Sequence, residues 1–193
     1  MPRSPIMLKA LLTSLALVAA LTFTNPAQAL EWALNKGGSR ITFEMIAADG
    51  SLTGQFEQFE AEIRFDPDYL DITEISAAVD MNTVSTGNPS YDDMLRGPQW
   101  FDTQTYPAAG FTATALQESA ADGQYALQGN LTIRGVSAPI AIPVTIRIER
   151  GDAHVTGETA IDRQSFGLGA DAQDAPGDIV IIRLDLLATH LDN

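Results

Sequence analysis

The sequence predicts an all-β domain, and three observations carry that prediction. Apolar and polar residues alternate with period two from residue 39 onward, the pattern of strands with one buried face. Many of the alternating segments are joined by connections short enough for antiparallel hairpins. The chain also shows no linker, repeat or low-complexity stretch that would divide it. An antiparallel set of this kind stacks as a sandwich or closes as a barrel, and the pattern leaves both open.

About eight segments show this alternation in chain order. Their expected inward faces combine large side chains such as Phe59 and Phe65 with small residues such as Ala113, Gly129 and Gly157. Small inward residues favour a hollow interior, whereas long aliphatic side chains from opposite walls would fill the same space. The segments are Ile41–Met45, Phe59–Phe65, Ile75–Met81, Phe111–Ala115, Tyr125–Ile133, Ile140–Ile148, Val155–Ile161 and Ile182–Ala188.

A short helix is predicted in the long connection between the third and fourth of these strands. Asn88 is a favourable N-cap, Pro89 suits the first helical position, and Gly97-Pro98 ends the helix. Trp100-Phe101 follows it. A connection of this length is seldom inert in a compact domain. We expect the helix and the aromatic residues to lie across an open end of the barrel, or to plug it as a purely structural element.

The first 29 residues have the features of a secretory signal. Arg3 and Lys9 precede an uncharged apolar run from Ala10 to Phe23, and Ala27-Gln28-Ala29 matches a small-x-small cleavage pattern. The run is shorter than the roughly 20 residues needed to span a bilayer. We therefore expect cleavage after Ala29, a single domain over residues 30–193, and a periplasmic protein. Loss of Arg3 and Lys9 takes the formal charge from −14 to −16.

Composition excludes several classes of function. The 25 acidic residues outnumber 11 basic ones, which argues against a nucleic-acid partner because phosphate contacts need a basic surface. The chain has no Cys, so thiol catalysis, disulfides and thiolate metal sites are excluded. The two histidines, His154 and His190, are not spaced as a pair.

The sequence also lacks a convincing catalytic or metal motif. Ser165 lacks the leading glycine of a nucleophile elbow, and Asp92 and Asp93 point apart on the expected helix, where they support its positive end. The acidic turns after Phe65 and Leu168 do not match a calcium-binding loop. We therefore expect no enzymatic activity, no cofactor and no metal.

Several motifs, taken in order, resemble the YceI-like family of periplasmic polyisoprenoid-binding proteins. The resemblance runs from Trp32 to about Thr189, and its pieces are specific only together. They are Trp32-x-Leu34, Ser39-Arg40-Ile41-x-Phe43, Gly54-Gln55-Phe56, Ile63-Arg64-Phe65-Asp66, Asp92-Asp93-Met94-Leu95-Arg96, Trp100-Phe101-Asp102, Tyr106-Pro107, Phe111, the run from Gly129 to Ile140, and Arg163-Gln164-Ser165-Phe166-Gly167.

The resemblance implies a lipocalin-like, eight-stranded antiparallel barrel with a helix over its opening. It also implies that the apolar interior holds an isoprenoid lipid, of the ubiquinone or polyprenyl type, for transport or storage. The implied partners are this lipid and, transiently, a membrane, while a homodimer is left open. The alternative is a stress-related interaction protein whose barrel is packed solid and binds no lipid. A third hypothesis, an isomerase-like barrel enzyme, needs an inward titratable group, and Tyr125 is nearly the only candidate.

The expected ligand site follows from the inward positions of the strands and from the helical connection. Leu95, Trp100 and Phe101 are expected to close the mouth of the barrel. Arg96 and Arg163 are placed either at the polar end of a ligand or on the solvated surface. The residues expected to line the interior are Phe43, Met45, Val79, Met81, Phe111, Leu131, Ile142, Val144 and Phe166.

Overall fold

The computed structural model describes residues 29–47, 50–171 and 177–191, so almost all of the predicted signal lies outside the described residues. Over these ranges the chain forms one antiparallel sheet and one α-helix, α1 (Pro89–Arg96). The strands are β1 (Glu31–Leu34), β2 (Arg40–Ala47), β3 (Gly50–Phe56), β4 (Phe59–Arg64), β5 (Glu74–Asp80), β6 (Val84–Ser85), β7 (Ala108–Glu118), β8 (Gln124–Ile133), β9 (Val136–Glu149), β10 (Asp152–Asp162) and β11 (Ile179–His190).

The sheet closes on itself, which decides the fold between sandwich and barrel. Strand β1 pairs with β11 on one side, with Trp32 opposite His190, and with β4 on the other, with Trp32 opposite Ile63. The closed ring runs β1-β4-β5-β7-β8-β9-β10-β11 and back to β1. Closure leaves these strands without a free edge. The prediction of an eight-stranded antiparallel barrel is confirmed.

Three positions of the barrel are occupied by interrupted strands. Strand β11 pairs with β2 through residues 180–185 and with β1 through residues 188–190, so β1 and β2 together fill one position. The pairs β3–β4 and β5–β6 are interrupted in the same way, by residues 57–58 and 81–83. The sequence prediction found one half of each position and missed β1, β3 and β6.

The connection between β6 and β7, residues 86–107, is called the cap here. Its helix has the predicted ends: Asn88 Oδ1 accepts a hydrogen bond from the Ser90 N–H at 3.0 Å, Pro89 opens the first turn, and Gly97 closes the last. The Asp92 carboxylate accepts hydrogen bonds from the backbone N–H and the hydroxyl of Thr86, at 2.7 and 2.6 Å. The prediction of a short helix in this connection is confirmed.

The interior contains two apolar clusters, one at each end of the barrel. The cluster away from the cap, called the closed end, includes Trp32, Phe65, Leu116, Val144 and Ala188. The Trp32 indole N–H donates to the Phe65 carbonyl at 2.9 Å. The cap-end cluster joins the cap to the wall and comprises Phe43, Met45, Met81, Val84, Leu95, Trp100, Phe101, Ala109, Ile133, Ile161, Phe166, Leu168 and Val180.

The helical content of the described residues is small. Helix α1 has 8 residues, and no helix in these ranges is both long and apolar enough to cross a bilayer.

Candidate functional site

The barrel encloses an apolar cavity of about 200 Å³. It extends from the cap, where Leu95, Trp100 and Phe101 line it, to Ile63 and Leu186 nearer the closed end. Every position of the barrel contributes to its wall, and the lining side chains are apolar except those of Thr159 and Arg163. Such a surface offers an apolar ligand burial and few hydrogen bonds.

Most of the residues expected to bind a ligand are brought together around this cavity. Ligand contact itself stays a prediction, because the structure fixes only where the side chains lie. The predicted residues that line the cavity are Phe43, Met45, Val79, Met81, Leu95, Trp100, Phe101, Phe111, Leu131 and Ile142.

Val144 and Phe166, which were also expected to bind a ligand, lie outside the described lining of this cavity. Val144 faces inward but belongs to the closed-end cluster, where its Cγ1 lies 2.9 Å from the point at which a Cβ on Gly157 would stand. The Val144 side chain therefore occupies the space that a side chain at Gly157 would otherwise fill. Phe166 follows β10 in a short 3-10 turn and is only 2% exposed, buried within the cap-end cluster. It supports the wall rather than forming its inner surface.

Arg163 is the charged residue of the cavity wall. It is 4% exposed, so its placement on the solvated surface is wrong. Its guanidinium donates to the Gly177 carbonyl at 3.3 Å and to Asp178 Oδ1 at 2.8 Å, and it lies 5.5 Å from the centre of the Trp100 ring. The carboxylate and the aromatic face offset part of the cost of burying this charge.

Arg96 has a different role and does not line the cavity. Its Nε donates to the Asn82 carbonyl at 3.0 Å, and its Nη2 donates to the Val84 carbonyl at 3.2 Å. Its Nη1 also contacts the Asp93 carboxylate at 3.0 Å. Arg96 therefore fastens α1 to the β5–β6 part of the wall.

The other side of the cap is fastened to two loops of the barrel. The Gly169 N–H donates to the Gln99 carbonyl at 2.7 Å. Arg134, in the tight β8–β9 turn, donates to the carbonyls of Pro98 and Gly167, each at 2.6 Å. One guanidinium thus joins the cap to the loop that carries Gly167. The cap closes this end of the cavity through polar bonds as well as through its aromatic side chains.

The sequence profile of the YceI-like domain matches residues 32–188. This chain belongs to the YceI-like family. UPF0312 proteins of Pectobacterium atrosepticum and Pseudomonas aeruginosa are each 28% identical to it over 186 and 187 residues. The alignments cover 91% of this chain and 95% and 96% of those proteins.

Solved structures share the fold of this chain. The YceI-like chain superposes on BcnA of Burkholderia cenocepacia with a TM-score of 0.76 at 26% identity, covering 81% of this chain and 99% of BcnA. A polyisoprenoid binding domain from Saccharophagus degradans superposes with a TM-score of 0.69 at 18% identity, covering 84% and 99% of the two chains. The second likeness shows the fold alone.

The YceI-like cavity also contains lining residues that the sequence reasoning missed. Period-two alternation predicts that Ile182, Leu184 and Leu186 of β11 face inward. The predicted ligand site nevertheless omits them. Phe56 was missed because β3 was missed, and Leu168 lies in a loop without a repeating pattern. The other missed lining residues are Ile41, Ala61, Ile63, Ile75, Ala77, Ala109, Gly110, Leu127, Ile133, Ile140, Thr159, Ile161 and Val180.

The titratable groups near the interior bear on the hypothesis of a barrel enzyme. Burial, together with the nearby Glu118 and Asp122 carboxylates, raises the pKa of the Tyr125 hydroxyl above its ordinary value. The rings of Tyr125 and Phe65 meet edge to face at the closed end, with their centres 6.2 Å apart. Tyr125 does not line the cavity. The described lining residues include no Asp, Glu or His. The described residues also hold no cluster of metal-binding side chains.

Proposed function

We propose that this YceI-like protein binds one isoprenoid chain in its barrel, without chemical conversion, as a carrier or store in the periplasm. The observation that carries the proposal is the elongated apolar cavity, closed at one end by packed side chains and at the other by the cap. The polyisoprenoid binding domain of Saccharophagus degradans shares this architecture, which supports the choice of ligand class.

The energetics favour exchange over permanent capture. Burial of each methylene-sized group is worth about 0.8 kcal/mol relative to water, so a long isoprenoid tail has ample reason to enter. A bilayer offers nearly the same burial, and the net free energy of leaving it is therefore small. These terms suit a carrier that loads from a membrane and unloads into one through transient contact.

The cavity has a polar end and an apolar end, which gives the bound lipid a direction. Arg163 and Trp100 lie at the cap, whereas Ile63, Ile75 and Leu186 line the wall toward the closed end. A polar head group at the cap lies beside the charged side chain of Arg163, whereas the closed end would surround it with apolar side chains. We therefore place the head group of a quinone or polyprenyl lipid at the cap and its tail toward the closed end.

The size of the cavity limits the ligand to a slender chain. About 200 Å³ is below the roughly 300–1,000 Å³ of pockets that take drug-sized molecules. We therefore expect a single isoprenoid chain, rather than a lipid with two acyl chains, to enter this space.

Native mass spectrometry tests this function. Protein purified without detergent is sprayed before and after incubation with a short-chain ubiquinone, and bound lipid is extracted and weighed. We expect one lipid per chain, either co-purified or taken up. Delipidated protein that takes up no quinone would support the packed-barrel interaction protein instead. Sequencing the N-terminus of protein recovered from the periplasm checks whether the mature chain begins at Leu30.

Two neighbouring alanines of β5 provide a matched pair of variants. Ala77 lines the cavity opposite Ala61, whereas Ala78 is exposed on the outer surface. Ala77→Leu fills part of the cavity that the quinone would occupy, and it is expected to weaken quinone uptake at least about tenfold, which corresponds to about 1.4 kcal/mol. Ala78→Leu places the same side chain outside and is expected to leave uptake unchanged. Equal uptake by the two variants would place the ligand elsewhere.

A further inference from the structure

Among the inward-facing glycines of the barrel, two lie next to phenylalanine rings that line the cavity. Gly54 lies between Leu52 and Phe56 on the inner face of β3. Gly129 lies on the inner face of β8, between the cavity-lining residues Leu127 and Leu131. Glycine weakens a strand, and in a strand interior it often marks a site that another group approaches closely. At both positions that group is a phenylalanine ring from the neighbouring strand.

The first ring belongs to Phe43, which pairs directly with Gly54 across β2 and β3. A Cβ added to Gly54 would overlap the end of the Phe43 ring and stand 2.7 Å from its Cε1. The ring therefore leans along the wall with its end over the glycine, and the centre of the Phe56 ring lies 5.5 Å from its own centre. Aromatic rings that cover glycines in this way also help to hold the register of a strand pair.

The second ring belongs to Phe111 of β7. Phe111 pairs with Leu131, and its ring crosses diagonally to Gly129. A Cβ on Gly129 would overlap the tip of that ring and stand 2.6 Å from the Thr112 carbonyl oxygen. Both rings line the cavity, so both would occupy its centre if they stood away from the wall. Side chains on strands ordinarily stand roughly perpendicular to the sheet.

We propose that Gly54 and Gly129 set the width of the cavity, by letting Phe43 and Phe111 lie against the wall. This inference rests on the proposed function and narrows its ligand class to single, methyl-branched chains. With both rings against the wall, the space left suits one isoprenoid chain. With either ring displaced inward, the cavity accepts an unbranched alkyl chain more readily than a branched one.

Gly54→Ala tests the inference with the least backbone disturbance. The φ angle of Gly54 is not among the positive ones, so alanine fits the backbone. The probes are geranylgeraniol and hexadecanol, which share a main chain of the same length; geranylgeraniol adds the methyl branches and double bonds of an isoprenoid. We expect Gly54→Ala to weaken geranylgeraniol binding about tenfold more than hexadecanol binding, a typical value for one methyl group in an apolar site. Phe43→Leu combined with Gly54→Ala is expected to restore the wild-type preference.

The controls separate the possible outcomes. Gly37→Ala adds the same methyl group at an exposed turn and is expected to leave both affinities unchanged. If Gly54→Ala does not fold, Phe43→Leu alone is measured, and it is expected to increase the preference for geranylgeraniol. An unchanged preference in Gly54→Ala, or in Phe43→Leu where that variant replaces it, overturns the role of the glycine. Failure of the wild-type protein to bind either alcohol instead overturns the proposed function.

Discussion

At the scale of single residues, the polar side chains of the cap stabilise it through short-range hydrogen bonds. Asp92 accepts two hydrogen bonds from Thr86, and these hold the pKa of its carboxyl below the ordinary value. Arg96 adds a weaker electrostatic contribution in the same direction. A lowered pKa in the folded state means that ionised Asp92 stabilises the fold. This contribution is present above the unfolded-state pKa and is lost as the pH falls through the folded-state value.

Asp92→Asn tests that contribution. The variant is expected to unfold a few degrees below the wild type at neutral pH, because the amide cannot replace the charged acceptor. The difference is expected to shrink below about pH 4, where the Asp92 carboxyl protonates in the unfolded chain, and to vanish once the folded-state carboxyl is protonated as well. Thermal unfolding followed by circular dichroism at several pH values gives both quantities. Asp93→Asn is the control, since that neighbouring side chain is 82% exposed. A pH-independent difference between Asp92→Asn and wild type would contradict the assignment.

The sequence pattern predicts many of the side chains that line the cavity, but it does not predict the burial of Arg163. The inward position of Phe43 or Leu131 follows from period-two alternation, because a strand points alternate side chains to one face. Arg163 follows β10 in a turn, where no periodicity applies, and its burial depends on Trp100 and Asp178 from distant parts of the chain. Likewise, the placement of Val144 depends on the absent side chain of Gly157 on the next strand.

At the scale of elements, the cap shows why some predictions succeed. The ends of α1 are coded locally by Asn88, Pro89 and Gly97, so the helix could be predicted from adjacent residues. Strand β3 could not, because Gly54 takes the middle position of its inner face and leaves only Leu52 and Phe56 as apolar signals. Strand β6 has 2 residues, too few for any period to be seen.

The attachment of the cap to the barrel through Arg134 can be tested by removing that side chain. Its guanidinium joins Pro98 of the cap to Gly167, and hydrogen bonds to charged groups are worth about 1.5–3 kcal/mol each. Arg134→Ala is expected to accelerate lipid release by at least about tenfold and to increase amide hydrogen exchange at residues 99–101. Stopped-flow transfer of quinone to vesicles and exchange mass spectrometry measure the two effects.

The control for this variant is Arg147→Ala, an exposed arginine of β9 toward the closed end. We expect it to change neither release nor exchange in the cap. Unaltered release from Arg134→Ala, with the protein folded, would show that the lipid leaves by a route that does not involve this side of the cap.

At the scale of the whole molecule, closure of the sheet is what makes a cavity. The sequence predicted the number of strand positions, but alternation is the same in a sandwich and a barrel. The decision rests on β1, which pairs with β4 on one side and with the distant C-terminal strand β11 on the other. Such long-range pairing leaves no local signal, and only the resemblance to the YceI-like family implied it in advance. The free space inside the barrel depends in turn on which inward side chains lie against the wall, and this is decided by residues on neighbouring strands.

The two tryptophans of the chain allow the most direct test of where the lipid lies. Trp100 lines the cavity at the cap, and Trp32 is buried in the closed end. The measurement is fluorescence quenching by a short-chain ubiquinone in Trp32→Phe, which retains Trp100, and in Trp100→Phe, which retains Trp32. A lipid bound in the barrel with its head at the cap predicts strong, saturable quenching of Trp100 and weak quenching of Trp32. Absence of saturable quenching at Trp100 would contradict the account.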